Sequence, residues 1–304
     1  MEAFTRCGPA HPVINTNPAL ESYYQSLESR IGYKLVLGGS RHYEFYENGQ
    51  SFPFPIGRAL RRMEQKLFEA LQLPEGSRVI DAGCGVAHVA SYMGKKGLHI
   101  TAFDVIDHHV SKARRNITKA RLPEGQLTVQ RMDYHHIETI PSASHDRLYT
   151  IETFLHSTDP EAVLAGVYRV LKPGGRIALF EYKHDLDDPD APPGSLASDL
   201  KEVNKWAAMP TCQRSNTGLF EDIIREAGFE NVEVRDYSEY IRPMLRLFYY
   251  MAIMPYFFVR LFGLQRFFIN TMAGARGFVG LGAWRYVAIT ATKPDGEIEG
   301  SKMK

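Results

Sequence analysis

Between residues 76 and 182, short apolar runs alternate with stretches whose apolar residues recur at helical spacing. Arg78–Ala82, His99–Phe103, 127–131, 147–151 and Arg176–Glu181 read as strands buried on both faces. Val86–Lys95, 108–120 and 160–171 read as the helices between them. Strand, helix, strand in repetition predicts an α/β fold with a five-strand, doubly wound, mostly parallel core. Upstream, Leu60, Met63, Leu67 and Phe68 predict a helix over Ile56–Leu71, and a weaker helical pattern covers 19–37. Downstream, Thr217–Ala227 reads as a helix, and Val232–Tyr237 and Trp284–Thr292 as strands.

Proline, glycine and charge divide the chain further. Residues 1–18, with Pro9, Pro12 and Pro18 and no apolar period, read as a loose arm. Residues 19–75 form an N-terminal cap, 76–240 the core, and 241–304 a C-terminal apolar segment with the last strand. The acidic, proline-rich stretch 184–195 reads as an exposed linker or mobile lid. From 241 to 294 there is no Asp or Glu, only arginines and Lys293 among many aromatic residues, and this segment is expected to lid an acceptor pocket. Its apolar run Leu247–Val259 is too short to span a bilayer, which needs about 20 residues.

Composition excludes some partners. With 36 Lys and Arg against 35 Asp and Glu, the net charge of +1 creates no global field for a polyanion, so no nucleic acid is expected. Cys7, Cys84 and Cys212 have neither disulfide-framework nor zinc-ligand spacing, and no metal is expected. The N-terminus lacks the pattern of a signal peptide, so a cytoplasmic protein is expected, with peripheral contact to a membrane surface and a homodimer both left open.

In the decapeptide from Val79 to His88, Gly83 and Gly85 allow a sharp turn off a strand and bring backbone amides to a ligand at a helix start. A dinucleotide turn would carry glycine or alanine where His88 stands, and a pyrophosphate would disfavour Asp81 two residues before Gly83. A cationic ligand would not. Here the chain resembles the S-adenosylmethionine-dependent methyltransferases of Rossmann-like fold. Asp104, ending the second strand, matches their ribose-binding acid; Asp133, flanked by Met132 and Tyr134, matches their adenine-binding position; Leu171–Gly175 (LKPGG) matches the turn before strand five. The resemblance implies S-adenosyl-L-methionine as cofactor, held by Asp81, Gly83, Gly85, Asp104, Met132, Asp133, Tyr134 and Glu152.

Two further segments, Tyr43–Phe54 (YEFYENGQSFPF) and Tyr149–Ser157 (YTIETFLHS), resemble those of the sterol C-methyltransferases and related small-molecule methyltransferases. Asn48 and Pro53 depart from that pattern, which points to another apolar acceptor such as a terpenoid, prenylated indole or polyketide. The resemblance implies methyl transfer in specialised metabolism, possible at carbon, with His156, Glu152 and Tyr46 catalytic and Tyr43, Phe45 and Phe52 lining the substrate pocket. One helical turn separates Glu152 from His156, so the imidazole is expected beside the carboxylate, oriented and made more basic. The plainer alternative is that these rings are core and that His156 only packs. Transfer to oxygen or nitrogen, a cyclase that binds the cofactor without spending its methyl, and a non-catalytic binding module also remain open.

Overall fold

The computed structural model describes residues 13–184, 186, 190–213 and 218–295. Seven strands form one sheet: β1 (Arg78–Ala82), β2 (His99–Asp104), β3 (Leu127–Arg131), β4 (His145–Ile151), β5 (Leu171–His184), β6 (Glu230–Asp236) and β7 (Trp284–Thr292). Their spatial order is β3-β2-β1-β4-β5-β7-β6, parallel except for β7, which runs antiparallel between β5 and β6. The core therefore does not close at residue 240, because a strand from the C-terminal segment is inserted into it. Side chains alternate across the sheet. Val79, Tyr149 and Phe180 pack on one face, and Ile80, Leu148 and Leu179 on the other.

The helices are α1 (Pro18–Gln25), α2 (Leu27–Val36), α3 (Ile56–Leu71), α4 (His88–Lys95), α5 (Asp107–Ala120), α6 (Pro160–Val170), α7 (Leu196–Trp206), α8 (Pro210–Gln213), α9 (Leu219–Glu226), α10 (Ser238–Leu261) and α11 (Ile269–Gly277). Leu60, Met63, Leu67 and Leu71 give α3 one buried stripe, as their spacing requires. Asn17 accepts the Leu20 N–H ahead of α1, and Asp159 the Ala162 N–H ahead of α6; each helix opens on a proline whose missing N–H costs nothing there.

Three expectations change. The weak helix over 19–37 is two helices broken at Ser26, whose N–H and hydroxyl both turn back to the carbonyl of Tyr23. The arm is anchored in its described part, where the Asn15 N–H donates to Asp133 at 3.0 Å; residues 1–12 lie outside the described residues. Of the stretch 184–195, residues 185 and 187–189 lie outside them too, and Ser195 already caps α7, a helix with little sequence signal.

Asp199 of α7, fully buried, holds the C-terminal half in place. It accepts the Tyr256 hydroxyl at 2.7 Å and the Arg260 and Arg276 guanidinium groups at 3.1 and 2.5 Å, joining α7 to α10 and α11. Both arginines are partly exposed, so water offsets part of the loss when the carboxylate is removed. Asp199→Ala is expected to cost about 2–3 kcal/mol, read as a lower midpoint in urea denaturation.

Candidate functional site

The glycine turn follows from β1. Gly83 has φ +87°, and a Cβ there would lie 2.0 Å from the Thr153 side chain, so the turn requires glycine twice over. The Gly83 and Cys84 amides donate to the Phe103 carbonyl at 2.8 and 2.9 Å, pinning the turn to the end of β2. There Asp104 accepts the Gly85 and Ile106 amides at 2.9 and 2.8 Å, with His109 3.4 Å away. Burial alone would raise its carboxyl, yet the nearby His109 ring and the two amides bring it below its usual value. A carboxylate has about four lone-pair sites, so Asp104 keeps acceptor capacity toward the cleft.

This cleft is lined by Gly83, Gly85, Asp104, Met132, Tyr134, Glu152 and His156. Two expected cofactor residues do not line it. Asp81 lies beneath the turn, where it accepts the Tyr149 hydroxyl at 2.7 Å, and burial raises its carboxyl to about 7. Asp133 spends its carboxylate on the Asn15 amide and on the His135 amide and ring, leaving the neighbours Met132 and Tyr134 at the wall. Sequence reading missed the other side of the cleft. Leu20 and Tyr24 of α1 and Ser40, Arg41 and His42 complete it, with the Arg41 guanidinium 5.0 Å from the Tyr24 ring centroid. No motif marks them; they arrive through the packing of the cap.

Next to the cleft, sharing Tyr24, Arg41, His42, Glu152 and His156 with it, is a chamber of about 360 Å³. Its wall is mainly apolar and aromatic: Tyr23, Tyr43, Leu155, Tyr182, Leu200, Val203, Phe248, Met251 and Trp284, with Glu28, His184, Asn204 and Asn270 among its polar groups. The C-terminal segment thus walls the chamber through α10 and α11. Of the expected aromatic residues only Tyr43 lines it. Phe45 stacks on Tyr240 at 4.4 Å, Tyr46 is buried with Leu37, Ala59 and Met244 and donates to the Pro53 carbonyl, and Phe52 is 68% exposed.

Glu152 stands between the two spaces in a left-handed backbone conformation, φ +54°. Its N–H donates to the Phe180 carbonyl, while the buried Glu181 carboxylate accepts the Thr153 and Phe154 amides and so fixes the loop beyond. The Glu152 carboxylate accepts the Tyr43 amide at 2.6 Å, the Tyr286 hydroxyl at 3.1 Å and the Tyr182 hydroxyl. Burial raises its pKa, opposed by these donors.

His156 is not beside that carboxylate. Its Nδ1–H donates to the Ala208 carbonyl at 2.8 Å, and its Nε2 accepts the Tyr24 hydroxyl at 3.0 Å. Burial depresses it to about 4, the reverse of the expected gain in basicity, because Phe154–His156 forms a tight turn that carries the ring away from Glu152 toward α1 and α8.

A methyltransferase domain model matches residues 80–179. An S-adenosyl-L-methionine-dependent Diels-Alderase of Talaromyces variabilis is 46% identical over 91% of this chain and 95% of its own. The chain belongs to the S-adenosyl-L-methionine-dependent methyltransferase family. A sterol 24-C-methyltransferase of Neurospora crassa is 27% identical over 94% of this chain and 76% of its own, in line with the aromatic segments. Among solved structures, the 4+2 cyclase SpnF shares the fold, with a TM-score of 0.65 at 20% identity over 92% of each chain. The cofactor of the family is S-adenosyl-L-methionine, and the glycine turn, the buried acceptor Asp104 and the flanking Met132 and Tyr134 fit it.

Two outcomes are expected. Asp104→Ala should weaken cofactor binding by about one to two decades in calorimetry, the usual effect of losing a charge-assisted hydrogen bond. The second concerns acid. In the unfolded chain His156 protonates near 6.5, whereas in the native state it stays neutral down to about 4. The unfolded state therefore gains protons first, and stability, complete above pH 6.5, falls as pH drops toward 4. His156→Gln, which cannot titrate, should flatten that part of a urea-denaturation profile by up to about 3 kcal/mol.

Proposed function

We propose that this protein is a cofactor-dependent cyclase: it folds a linear, apolar polyene of polyketide type in the chamber and closes it by intramolecular 4+2 cycloaddition, leaving the cofactor's methyl group in place. The observation that carries this is the engagement of both candidate proton acceptors. Glu152 accepts three donors, and His156 is neutral with both ring nitrogens bonded. Transfer to a hydroxyl or amine requires somewhere for a proton to go. A cycloaddition requires nothing of the kind: three π bonds become one π bond and two σ bonds, with no proton moved and no group leaving. Further support comes from the Talaromyces variabilis relative, 46% identical and named a Diels-Alderase.

In this role Asp104 accepts the ribose hydroxyls, Met132 and Tyr134 flank the adenine, and the Gly83–Gly85 turn makes room for the amino-acid tail. When bound, the cofactor would supply a positive charge and a transferable methyl. The chain's own work is to hold diene and dienophile in contact: Tyr43, Tyr182, Phe248 and Trp284 present rings on the chamber wall, and excluding extended conformers removes much of the entropic barrier. Tyr24, bonded to His156, would help to wall the cofactor in.

Incubation with S-adenosyl-L-methionine and a linear polyene bearing a diene and a dienophile is expected to give an isomer of unchanged mass, with the cofactor recovered. Sinefungin, charged but with no methyl to give, should sustain turnover. His156→Gln should lose far less than the about 10² to 10⁴-fold that removal of a general base brings. A product heavier by one CH₂, with S-adenosylhomocysteine released, would instead establish the methyl transfer expected from sequence.

A further inference from the structure

α2 and the second half of α10 present apolar faces that the fold leaves open. On α2, Leu27, Ile31 and Leu35, one turn apart, are 73%, 51% and 77% exposed. On α10, Met254, Phe257 and Leu261 are 71%, 61% and 62% exposed along one side. Both helices pack on α11. Glu28 of α2 accepts the Asn270 and Thr271 amides at 2.8 and 2.7 Å, and α10 packs along α11, with the Gly274 Cα set against Ala252 and the Phe248 carbonyl. The chamber opens between them: Gly32 and Val36 of α2 and Met251 of α10 line it, and Met251 is itself 51% exposed. Each stripe leaves large apolar side chains facing water, and such surface marks an interaction site when it is extensive.

Basic side chains gather beside α2. Arg30 and Lys34 lie on the exposed surface of α2, and across from them on α5 are Lys112 and Arg115. Among the described residues none of these four is in an ion pair. Lys112 sits below its usual value, from partial burial and then from Arg41, Arg30, Lys34 and Arg115 nearby, which places the four surface cations in one cluster. Arg266 is exposed beyond the end of α10, and the chain carries no Asp or Glu from 241 to 294.

We infer that the α2 and α10 faces seat the protein on an anionic phospholipid bilayer, with the chamber mouth toward the lipid. The apolar stripes would enter the boundary between headgroups and acyl chains while the cations meet phosphate and serine headgroups. A second copy of the chain fits less well, because it would bring cation cluster toward cation cluster. Delivery of an apolar substrate from the lipid rests on the proposed function, but the docking does not, and it is measured without turnover.

The full chain is to be floated with phosphatidylcholine vesicles and with vesicles that also contain phosphatidylserine. Co-flotation is expected with the second kind, weakening as salt rises. Phe257→Ser combined with Leu261→Ser should abolish flotation with melting temperature and cofactor affinity unchanged, which separates a lost contact from a lost fold. Arg30→Gln with Lys34→Gln should lower the partition coefficient about thirtyfold, the effect of two basic residues at an anionic surface. Absence of flotation by the wild type overturns the inference. So does a wild-type dimer in sedimentation that the Phe257→Ser, Leu261→Ser variant turns into a monomer, which would assign the faces to a second copy.

Discussion

The Glu152 carboxylate joins three parts of the molecule that no local structure would bring together. It accepts the Tyr43 amide from the cap, the Tyr182 hydroxyl from β5 and the Tyr286 hydroxyl from β7. A buried carboxylate without partners would be costly, so the cap is drawn to the sheet and the C-terminal strand is kept in register by the same group. Because Glu152 also separates the cofactor cleft from the chamber, the position of the cap sets the geometry of both. The left-handed backbone at Glu152 is strained for a residue other than glycine, and the neighbouring Glu181, accepting two amides just beyond it, helps to hold the conformation.

With those tyrosines in place, the floor of the chamber is sealed in hydrogen bonds and its walls are left to rings and aliphatic groups. Positioning suits such a space, since the Glu152 carboxylate and the His156 ring are already engaged. The same economy runs through His156, fixed by Ala208 and Tyr24 and kept neutral by burial. Under the proposed function, a methyltransferase fold furnished in this way keeps its cofactor cleft while the demand on the protein shifts from proton transfer to folding of the substrate.

The outer half of the molecule follows a different logic. Asp199 collects Tyr256, Arg260 and Arg276 and so turns the inner sides of α10 and α11 toward α7. Once those arginines are committed inward, the aromatic residues on the opposite side of α10 have no counterpart within the described residues. Among the described residues no helix is long and apolar enough to cross a membrane, so any lipid contact this surface makes is from the side.

Much of the sheet was legible in the chain because strands buried on both faces write themselves as apolar runs, and the Gly83–Gly85 turn because only glycine tolerates the close approach of Thr153. The placement of Gly83, Gly85, Asp104, Met132 and Tyr134 along one cleft follows from a general property of open parallel sheets, whose ligands sit beyond the carboxyl ends of the strands. Spacing alone, however, could not tell which atoms would still be free. Asp133 is taken up by Asn15, 118 residues away, as well as by its neighbour His135, Asp81 by Tyr149, 68 residues away, and Tyr46 by its own loop. The same holds for Tyr24, Arg41 and His42, which reach the cleft only because the cap folds back over the glycine turn. Periodicity is local and records which side of an element is buried; what a buried polar group bonds to is decided by segments remote in sequence, and so belongs to the tertiary structure alone.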